Sequence, residues 1–172
     1  MMRKVIDWTV TIAGLGALAY GVIWFEKQGQ SELIGRASVV DGDSLVISGE
    51  RIRLRGIDAP ELDQQCEFKG RSWSCGRESR NYLAKLIARR EVTCTAGTID
   101  DYDRWLAQCR VNQIDLNKSL VLNGWAVSYG AYTAEEKLAK DKSAGIWRGS
   151  FERPRSWRDA QRGSAGGLQL RD

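Results

Sequence analysis

Carboxylates and arginines are the side chains of this sequence that could carry out chemistry, because the chain of 172 residues contains no histidine. That absence excludes Ser-His and Cys-His nucleophile pairs, histidine-dependent nucleases and zinc sites with imidazole ligands. Three short segments hold the best candidates: Val39 to Ser44, Arg51 to Glu61 and Asp100 to Arg104. Their carboxylates and guanidinium groups suit acid–base catalysis, charge stabilisation or a hard metal ion bound through oxygen.

The second segment alternates arginines with apolar residues, as a strand does. Arg51, Arg53 and Arg55 therefore share one face, and the short step from Arg53 to Asp58 brings a cation and a carboxylate to one strand end. Taken singly, each segment has an ordinary interpretation. The two acidic segments are typical of exposed turns, and an arginine-rich face is typical of a solvated surface. Their meaning depends on whether the fold brings them together.

Periodicity predicts an α+β domain, mainly β, over residues 31–158, followed by a flexible tail over 159–172. The predicted elements are strands within 37–54, a helix at 77–89, strands at 91–95 and 105–111, and short helices near 116–123 and 134–143. This order is typical of a five-stranded Greek-key barrel with about three helices, the oligonucleotide-binding (OB) fold. The loops of such a barrel form its ligand site.

The N-terminus has the features of a membrane signal. Val5 to Phe25 is an apolar run of 21 residues with one charge, which as a helix can span a bilayer core of roughly 30 Å. The Arg3-Lys4 pair precedes it, and the positive-inside rule then places the domain in the periplasm or outside the cell. We expect residues 1–30 to form an uncleaved single-pass anchor and spacer. A cleaved signal peptide is the alternative, since Ala17-Leu18-Ala19 fits a cleavage site; the domain would then be secreted.

The four cysteines predict disulfides. Cys66, Cys75, Cys94 and Cys109 contain no Cys-x-x-Cys pair, which argues against zinc. In an oxidising compartment two bridges are the better interpretation, and four reduced buried cysteines are the alternative. Of three connectivities we prefer Cys66 with Cys75, which closes a short loop, and Cys94 with Cys109, which face each other across two strands. Bridging requires Cα atoms about 4.4–6.8 Å apart.

The charge balance permits a polyanionic partner without requiring one. Lysine and arginine number 26 against 22 acidic residues, a formal net charge of +4. Affinity for a nucleic acid must therefore come from local clustering of the arginines.

Together the segments resemble the thermonuclease, or staphylococcal nuclease-like, family over about residues 35–157. The motifs that carry the resemblance are, in order, Val-Asp-Gly-Asp-Ser at 40–44, Arg-Leu-Arg-Gly-Ile-Asp-Ala-Pro-Glu at 53–61, Asp-Tyr-Asp-Arg at 101–104, Leu-Asn at 116–117, Asn-Gly-Trp-Ala at 123–126 and Gly-Ile-Trp at 145–147. The cysteines and the segment from Phe151 to Arg158 resemble an exported bacterial branch.

The resemblance implies a monomeric, calcium-dependent phosphodiesterase that cuts single-stranded or frayed DNA and RNA. Asp43 and Asp58 match the carboxylate ligands of Ca²⁺, and the backbone carbonyl of Ala59 matches a further ligand. Glu61 matches the carboxylate that orients or deprotonates the attacking water.

The remaining matches concern the phosphate and the nucleotide. Arg53 and Arg104 match the arginines that clamp the phosphate and stabilise the charge developing on it. Tyr102 and Tyr132 match tyrosines around the nucleotide.

Two departures from the family pattern bear on substrate binding. Asp103 stands where the family usually has glycine, and its charge either repels a phosphate or pairs with Arg104. Asp101 stands where a lysine often occurs, which implies weaker substrate affinity.

A second function stays open: an OB-fold module that binds nucleic acid or an envelope polysaccharide without hydrolysing it. Carboxylates repel phosphate, so three of them beside the arginines favour the nuclease.

Overall fold

The computed structural model describes residues 14–18, 20, 21 and 31–166, with side chains described through residue 163. The chain separates into two compact units, Met1–Ser31 and Glu32–Asp172. In the first unit, residues 14–18, 20 and 21 are helical and exposed. Most of the predicted anchor, Val5 to Phe25, lies outside the described residues. Within the described part, no helix has the length and apolar character needed to cross a membrane.

A closed five-stranded barrel forms the centre of the larger unit. This unit contains ten described strands, five of which form the barrel. They are β1 (Ser31–Val39), β2 (Ser44–Ile47), β3 (Glu50–Leu54), β4 (Ile57–Asp58), β5 (Cys66–Phe68), β6 (Arg71–Trp73), β7 (Glu91–Ile99), β8 (Trp105–Val111), β9 (Ile114–Asp115) and β10 (Val127–Ser128). The barrel order is β3-β2-β1-β7-β8, and parallel pairing of β3 with β8 closes it. The predicted five-stranded barrel, consistent with an OB-fold, is thereby confirmed.

Four helices accompany the barrel: α1 (Cys75–Ile87), α2 (Leu116–Leu122), α3 (Thr133–Asp141) and α4 (Pro154–Gly166), with a 3₁₀ turn at Gly145–Arg148. The first three confirm predicted helices. α2 begins where it does because the Asp115 side chain accepts a hydrogen bond from the Lys118 backbone N–H, a typical N-cap. α4 was not predicted as a helix, and it continues past Arg158 into the segment expected to be a flexible tail.

The core explains why the arginines of β3 face outward. In β3 the apolar Ile52 and Leu54 are fully buried, and they pack with buried side chains of the other strands, of α1 and of α2. Because successive strand residues point to opposite faces, Arg51 and Arg53 are placed on the outer surface of the barrel. The strand therefore directs both arginines away from the hydrophobic core.

Both predicted disulfides are present. Cys66 and Cys75 have Cα atoms 5.6 Å apart, and Cys94 and Cys109 have Cα atoms 4.0 Å apart. The second distance is shorter than the expected range. These cysteines are direct register partners on β7 and β8, and the Cys109 N–H donates to Asn117 Oδ1 instead of to β7, as in a non-hydrogen-bonded pair, where antiparallel strands lie closest together. The first bridge ties down a β5–β6 hairpin in a segment for which the sequence predicts a loop.

Candidate active site

A cleft of about 420 Å³ on the barrel surface brings the three segments together. Its lining residues are Asp41, Arg51, Arg53, Glu61, Tyr102, Arg104, Tyr129, Arg158 and Arg162. Five of these nine residues are arginines, whose planar, permanently charged forks suit phosphate groups. Asp41 and Glu61 are the two carboxylates among the lining residues, so the arginines outnumber the carboxylates there and form the local cluster of positive charge that a polyanionic partner requires.

One guanidinium holds two buried carboxylates at the base of this cleft. Arg53 donates through Nη1 to Asp43 Oδ1 at 3.0 Å and through Nη2 to Asp58 Oδ1 at 2.8 Å. The Asp43 and Asp58 side chains are only 4% and 3% exposed. Strand β3 supplies the arginine, the turn before β2 supplies Asp43, and β4 supplies Asp58.

Gly42 lets the turn before β2 pack closely enough to bury Asp43. A Cβ at position 42 would lie 2.2 Å from Ser79 Oγ and 2.7 Å from the Ala59 Cβ, so only glycine fits. The Asp-Gly-Asp segment is thus a packed element of the site.

Both oxygens of the Asp43 carboxylate accept hydrogen bonds, but the nearby positive charge does not offset the cost of burying its negative charge. Its Oδ2 accepts the Ala59 N–H at 2.9 Å, and its Oδ1 accepts the Ser44 hydroxyl at 3.1 Å. Burial raises the pKa of Asp43 to about 7, against the opposing effect of Arg53 and with the help of nearby Asp41 and Asp58. Further positive charge at this position would stabilise the ionised carboxylate.

Arg158 of α4 enters the same cluster from the other side. Its Nη1 lies 3.0 Å from Asp58 Oδ1 and 2.7 Å from Glu61 Oε1, and its Nη2 lies 3.1 Å from Asp58 Oδ2. Burial lowers the pKa of the Arg158 guanidinium, but the hydrogen bonds to Asp58 and Glu61 outweigh it and raise that pKa above its usual range. The sequence alone assigns Arg158 no role in the site. The feature that could have pointed to it is the segment from Phe151 to Arg158, which resembles an exported branch of the family.

A separate turn between β7 and β8 presents Arg104. Asp100 Oδ2 accepts from Arg104 Nε at 2.9 Å and from its Nη2 at 2.6 Å, and Oδ1 accepts the backbone N–H of Tyr102 and Arg104. Although burial opposes it, this bonding, above all that from the Arg104 side chain, lowers the pKa of Asp100. Asp103 adopts a left-handed φ of 59°. The carboxylate that pairs with Arg104 is that of Asp100, to which the sequence alone assigns no role, and not that of Asp103.

The tyrosines at the cleft are Tyr102 and Tyr129. Tyr102 is 61% exposed and its ring lies 5.3 Å from the Arg104 guanidinium. Tyr129 is 54% exposed, and its N–H bonds to the Gly56 carbonyl beside the β4–β10 pairing. The structure places Tyr132 elsewhere: it starts α3, packs partly buried against the core and does not line the cleft.

The side chains available for a metal are all oxygen donors. Within residues 31–163, no three His, Cys, Asp or Glu side chains are grouped as metal ligands. Two arginines nevertheless link three carboxylates: Arg53 bonds Asp43 and Asp58. Arg158 bonds Asp58 and Glu61. Buried carboxylate oxygens fit a hard cation such as Ca²⁺. Ala59 contacts Asp43 through its N–H, and its carbonyl is the atom implied as a ligand.

Comparisons with known proteins identify the family of this chain. The family described as Staphylococcal nuclease homologue matches residues 51–149. Succinoglycan biosynthesis protein ExoI of Rhizobium meliloti is 37% identical over 147 residues, 80% of this chain and 77% of that protein. "Probable staphylococcal-like nuclease CAN3" of Oryza sativa is 33% identical over 127 residues, 70% of this chain and 31% of that protein. "Probable endonuclease LCL3" of Phaeosphaeria nodorum is 30% identical over 162 residues, 79% of this chain and 54% of that protein.

The shares covered differ among these relatives. The chain spans 77% of the Rhizobium protein but only 31% and 54% of the plant and fungal proteins.

Arg158 lies beyond the segment that the family match covers, whereas Arg53, Asp58, Glu61 and Arg104 lie within it. From the match over residues 51–149 and the 37% identity to the Rhizobium protein, the chain belongs to the staphylococcal nuclease family.

Proposed function

We propose that this protein is a calcium-dependent nuclease that hydrolyses phosphodiester bonds of DNA and RNA, with a preference for single-stranded or frayed substrates. The family match and the relatives named as nucleases support a nuclease in general. The observation that carries the proposal is the position of Arg53, which lines one cleft with Glu61 and Arg104 and joins the buried Asp43 and Asp58 at 3.0 and 2.8 Å.

The two arginines bind and stabilise the phosphate. Arg53 on β3 and Arg104 on the β7–β8 turn line the same cleft, and in the proposed complex both guanidinium groups contact the phosphate. Their charge offsets the negative charge that builds on the phosphate oxygens during displacement. Because both are held by carboxylates before substrate arrives, little reorganisation is needed.

Glu61 receives the proton from the attacking water. Its side chain is 31% exposed and lines the cleft, where a water molecule can reach it. A carboxylate in this position does the work that histidine does in other hydrolases. Asp43, Asp58 and the Ala59 carbonyl would hold calcium, which when bound supplies further charge stabilisation to the phosphate.

Exposed tyrosines support the preference for unpaired bases. The rings of Tyr102 and Tyr129 are 61% and 54% exposed at the cleft. Aromatic rings stack on bases that are free of a duplex, which favours single strands over paired DNA.

The test is digestion of denatured DNA and of RNA by the full-length protein purified in mild detergent, with CaCl₂ and then with an excess of chelator. We expect cleavage with calcium and none with chelator. Arg155→Gln, at an exposed position of α4 outside the cleft, is the matched control and retains activity. Full activity in chelator would reject the calcium dependence, and no cleavage under any divalent cation would reject the nuclease.

We further propose that the protein is a monomer tethered to the membrane by its N-terminal helix, with the domain outside the cytoplasm. The two formed disulfides support an oxidising compartment. The protein should remain with membranes after carbonate washing. A soluble product beginning at Tyr20 would show instead that the signal is cleaved and the domain secreted. Size-exclusion chromatography with light scattering checks the monomer.

A polysaccharide-binding module is the second candidate function. The observation that favours it is the relative named for succinoglycan biosynthesis, which is 37% identical to this chain. Retention of succinoglycan by the protein in equilibrium dialysis, together with no cleavage of DNA or RNA, would favour this candidate over the nuclease.

A further inference from the structure

Arg158 occupies the oxygen atoms of Asp58 that a metal ion would need. It bonds both carboxylate oxygens, Oδ1 at 3.0 Å and Oδ2 at 3.1 Å, while Arg53 also bonds Oδ1 at 2.8 Å. The same Nη1 of Arg158 reaches Glu61 at 2.7 Å. A cation that binds Asp58 therefore meets a positive group already bonded to both oxygens.

The helix that carries Arg158 is fixed at its start and exposed beyond it. Before α4, the Gln64 side chain donates to the Glu152 carbonyl at 2.7 Å and Arg153 pairs with Glu136 at 2.9 Å. Pro154 is buried, whereas the side chains over 159–163 are exposed. Arg162, in this solvent-facing part, lines the cleft, and the ion pairs of Arg158 with Asp58 and Glu61 tie this part of α4 to it.

We propose that Arg158 is an internal counter-cation of Asp58 and Glu61 that calcium must displace, so that calcium binding releases the C-terminal part of α4 from the cleft. This inference rests on the proposed function, because it requires calcium to bind at Asp58. Two like charges compete for one buried carboxylate, and each lowers the affinity of that carboxylate for the other. Glu61 is freed by the same exchange, so metal binding and release of the proton-accepting carboxylate are one event.

The first test is isothermal titration of the full-length protein with CaCl₂. Arg158→Gln removes the charge and should tighten calcium binding about tenfold, the effect of losing one nearby like charge. Arg158→Lys keeps a charge and should bind calcium within about twofold of the unmodified protein. Arg155→Gln, on the same helix, is the control and should not change the affinity. An unchanged or weaker affinity in Arg158→Gln overturns the inference, because Arg158 would then be neutral toward calcium or would position Asp58 for it.

The second test is hydrogen exchange, measured first in the unmodified protein and then in Arg158→Gln. Hydrogen exchange of α4 in the unmodified protein should become faster when CaCl₂ is added, while exchange in the barrel strands should not. In Arg158→Gln the helix should exchange rapidly with or without calcium. Equal or greater protection of α4 with calcium overturns the inference. Thermal unfolding of each variant shows whether its domain is folded.

These measurements separate the inference from the nuclease proposal. Calcium binding that tightens in Arg158→Gln without any cleavage of nucleic acid would leave the inference standing and reject the nuclease. Calcium-dependent cleavage with no change of affinity in Arg158→Gln would do the reverse. No calcium binding by the unmodified protein rejects both.

Discussion

The two ends of the cleft hold their arginines in different ways. At the barrel end, Arg53 lies on a strand and bridges Asp43 and Asp58, which come from two other elements. At the turn end, Arg104 is held by Asp100, four residues away in the same turn. Both arginine side chains are 19% exposed, so burial does not distinguish them.

The difference shows how much of the fold each end depends on. The barrel end exists only when β3, β4 and the turn before β2 are assembled, and α4 adds Arg158 to it. The turn end is built mainly within residues 100–104, between the paired strands β7 and β8, and receives one hydrogen bond from outside, from Arg51 Nη1 of β3 to the Tyr102 carbonyl at 3.2 Å. We therefore expect changes at the barrel end to affect chemistry and metal binding, and changes at the turn end to affect substrate binding.

The largest effect is expected at Glu61, which belongs to the barrel end. Glu61→Gln should lower kcat by about 10²- to 10⁴-fold with little change in KM, because the amide cannot accept the proton from water. Single-turnover digestion of an oligonucleotide at saturating calcium measures it. Unchanged turnover would contradict the assignment of Glu61.

The next effect compares the two arginines directly. Arg53→Lys should lower kcat by about 10²- to 10³-fold, because a point donor replaces a planar fork that contacts two carboxylates and that, in the proposed mechanism, also stabilises the phosphate. Arg104→Lys should lower kcat/KM by less than Arg53→Lys does, and more of that loss should appear as a higher KM. Equal losses in kcat alone would remove the distinction between the two ends.

A smaller effect is expected from Asp43→Asn. The amide removes one negative charge from the buried pair, so the calcium concentration for half-maximal activity should rise by roughly tenfold. Titration of activity with CaCl₂ gives this value, and the maximal rate at saturating calcium should fall less than in Arg53→Lys. An unchanged calcium requirement would exclude Asp43 from the metal site.

The smallest effect is expected from Asp100→Asn at the turn end. It should raise KM by about three- to tenfold, because Arg104 loses its charge-assisted hydrogen bonds. The pKa of Asp100 is lowered in the fold, so its ionised form stabilises the fold above the pKa of an unfolded aspartate, about 3.9. That contribution is lost as the pH falls through the lower folded pKa.

The variant should accordingly have a lower Tm than the unmodified protein at pH 7, with the gap closing toward pH 3. Circular dichroism melts at both pH values measure this gap. A gap of the same size at both would show that the Asp100 charge does not stabilise the turn.

Local pattern was sufficient for several features of this protein. Alternation and helical spacing predicted the barrel strands and three helices, and the order of elements predicted the OB-fold. The pairing of the four cysteines also followed from their spacing and from the neighbouring strands. These features depend on short-range periodicity, which the sequence displays directly.

Other features required the tertiary structure. Asp58 and Arg158 are 100 residues apart, and no periodicity within the chain relates a strand to a helix over that distance. Tyr129 and Tyr132 are near in sequence, and the pairing of β10 with β4 places the first of them at the cleft. The sequence does not identify Asp100 as the partner of Arg104, because three other acidic or polar residues, Asp101, Tyr102 and Asp103, lie in the same turn.

The sequence by itself determined which groups could act: carboxylates and arginines, without histidine, on a small barrel that carries two disulfides. The tertiary structure decided which of them meet. Two buried carboxylates share Arg53, and Arg158 reaches Asp58 and Glu61 from the far end of the chain. The physical reason is that residue types and short-range spacing are encoded locally, whereas the burial and ion pairing of these carboxylates arise only when distant elements pack together.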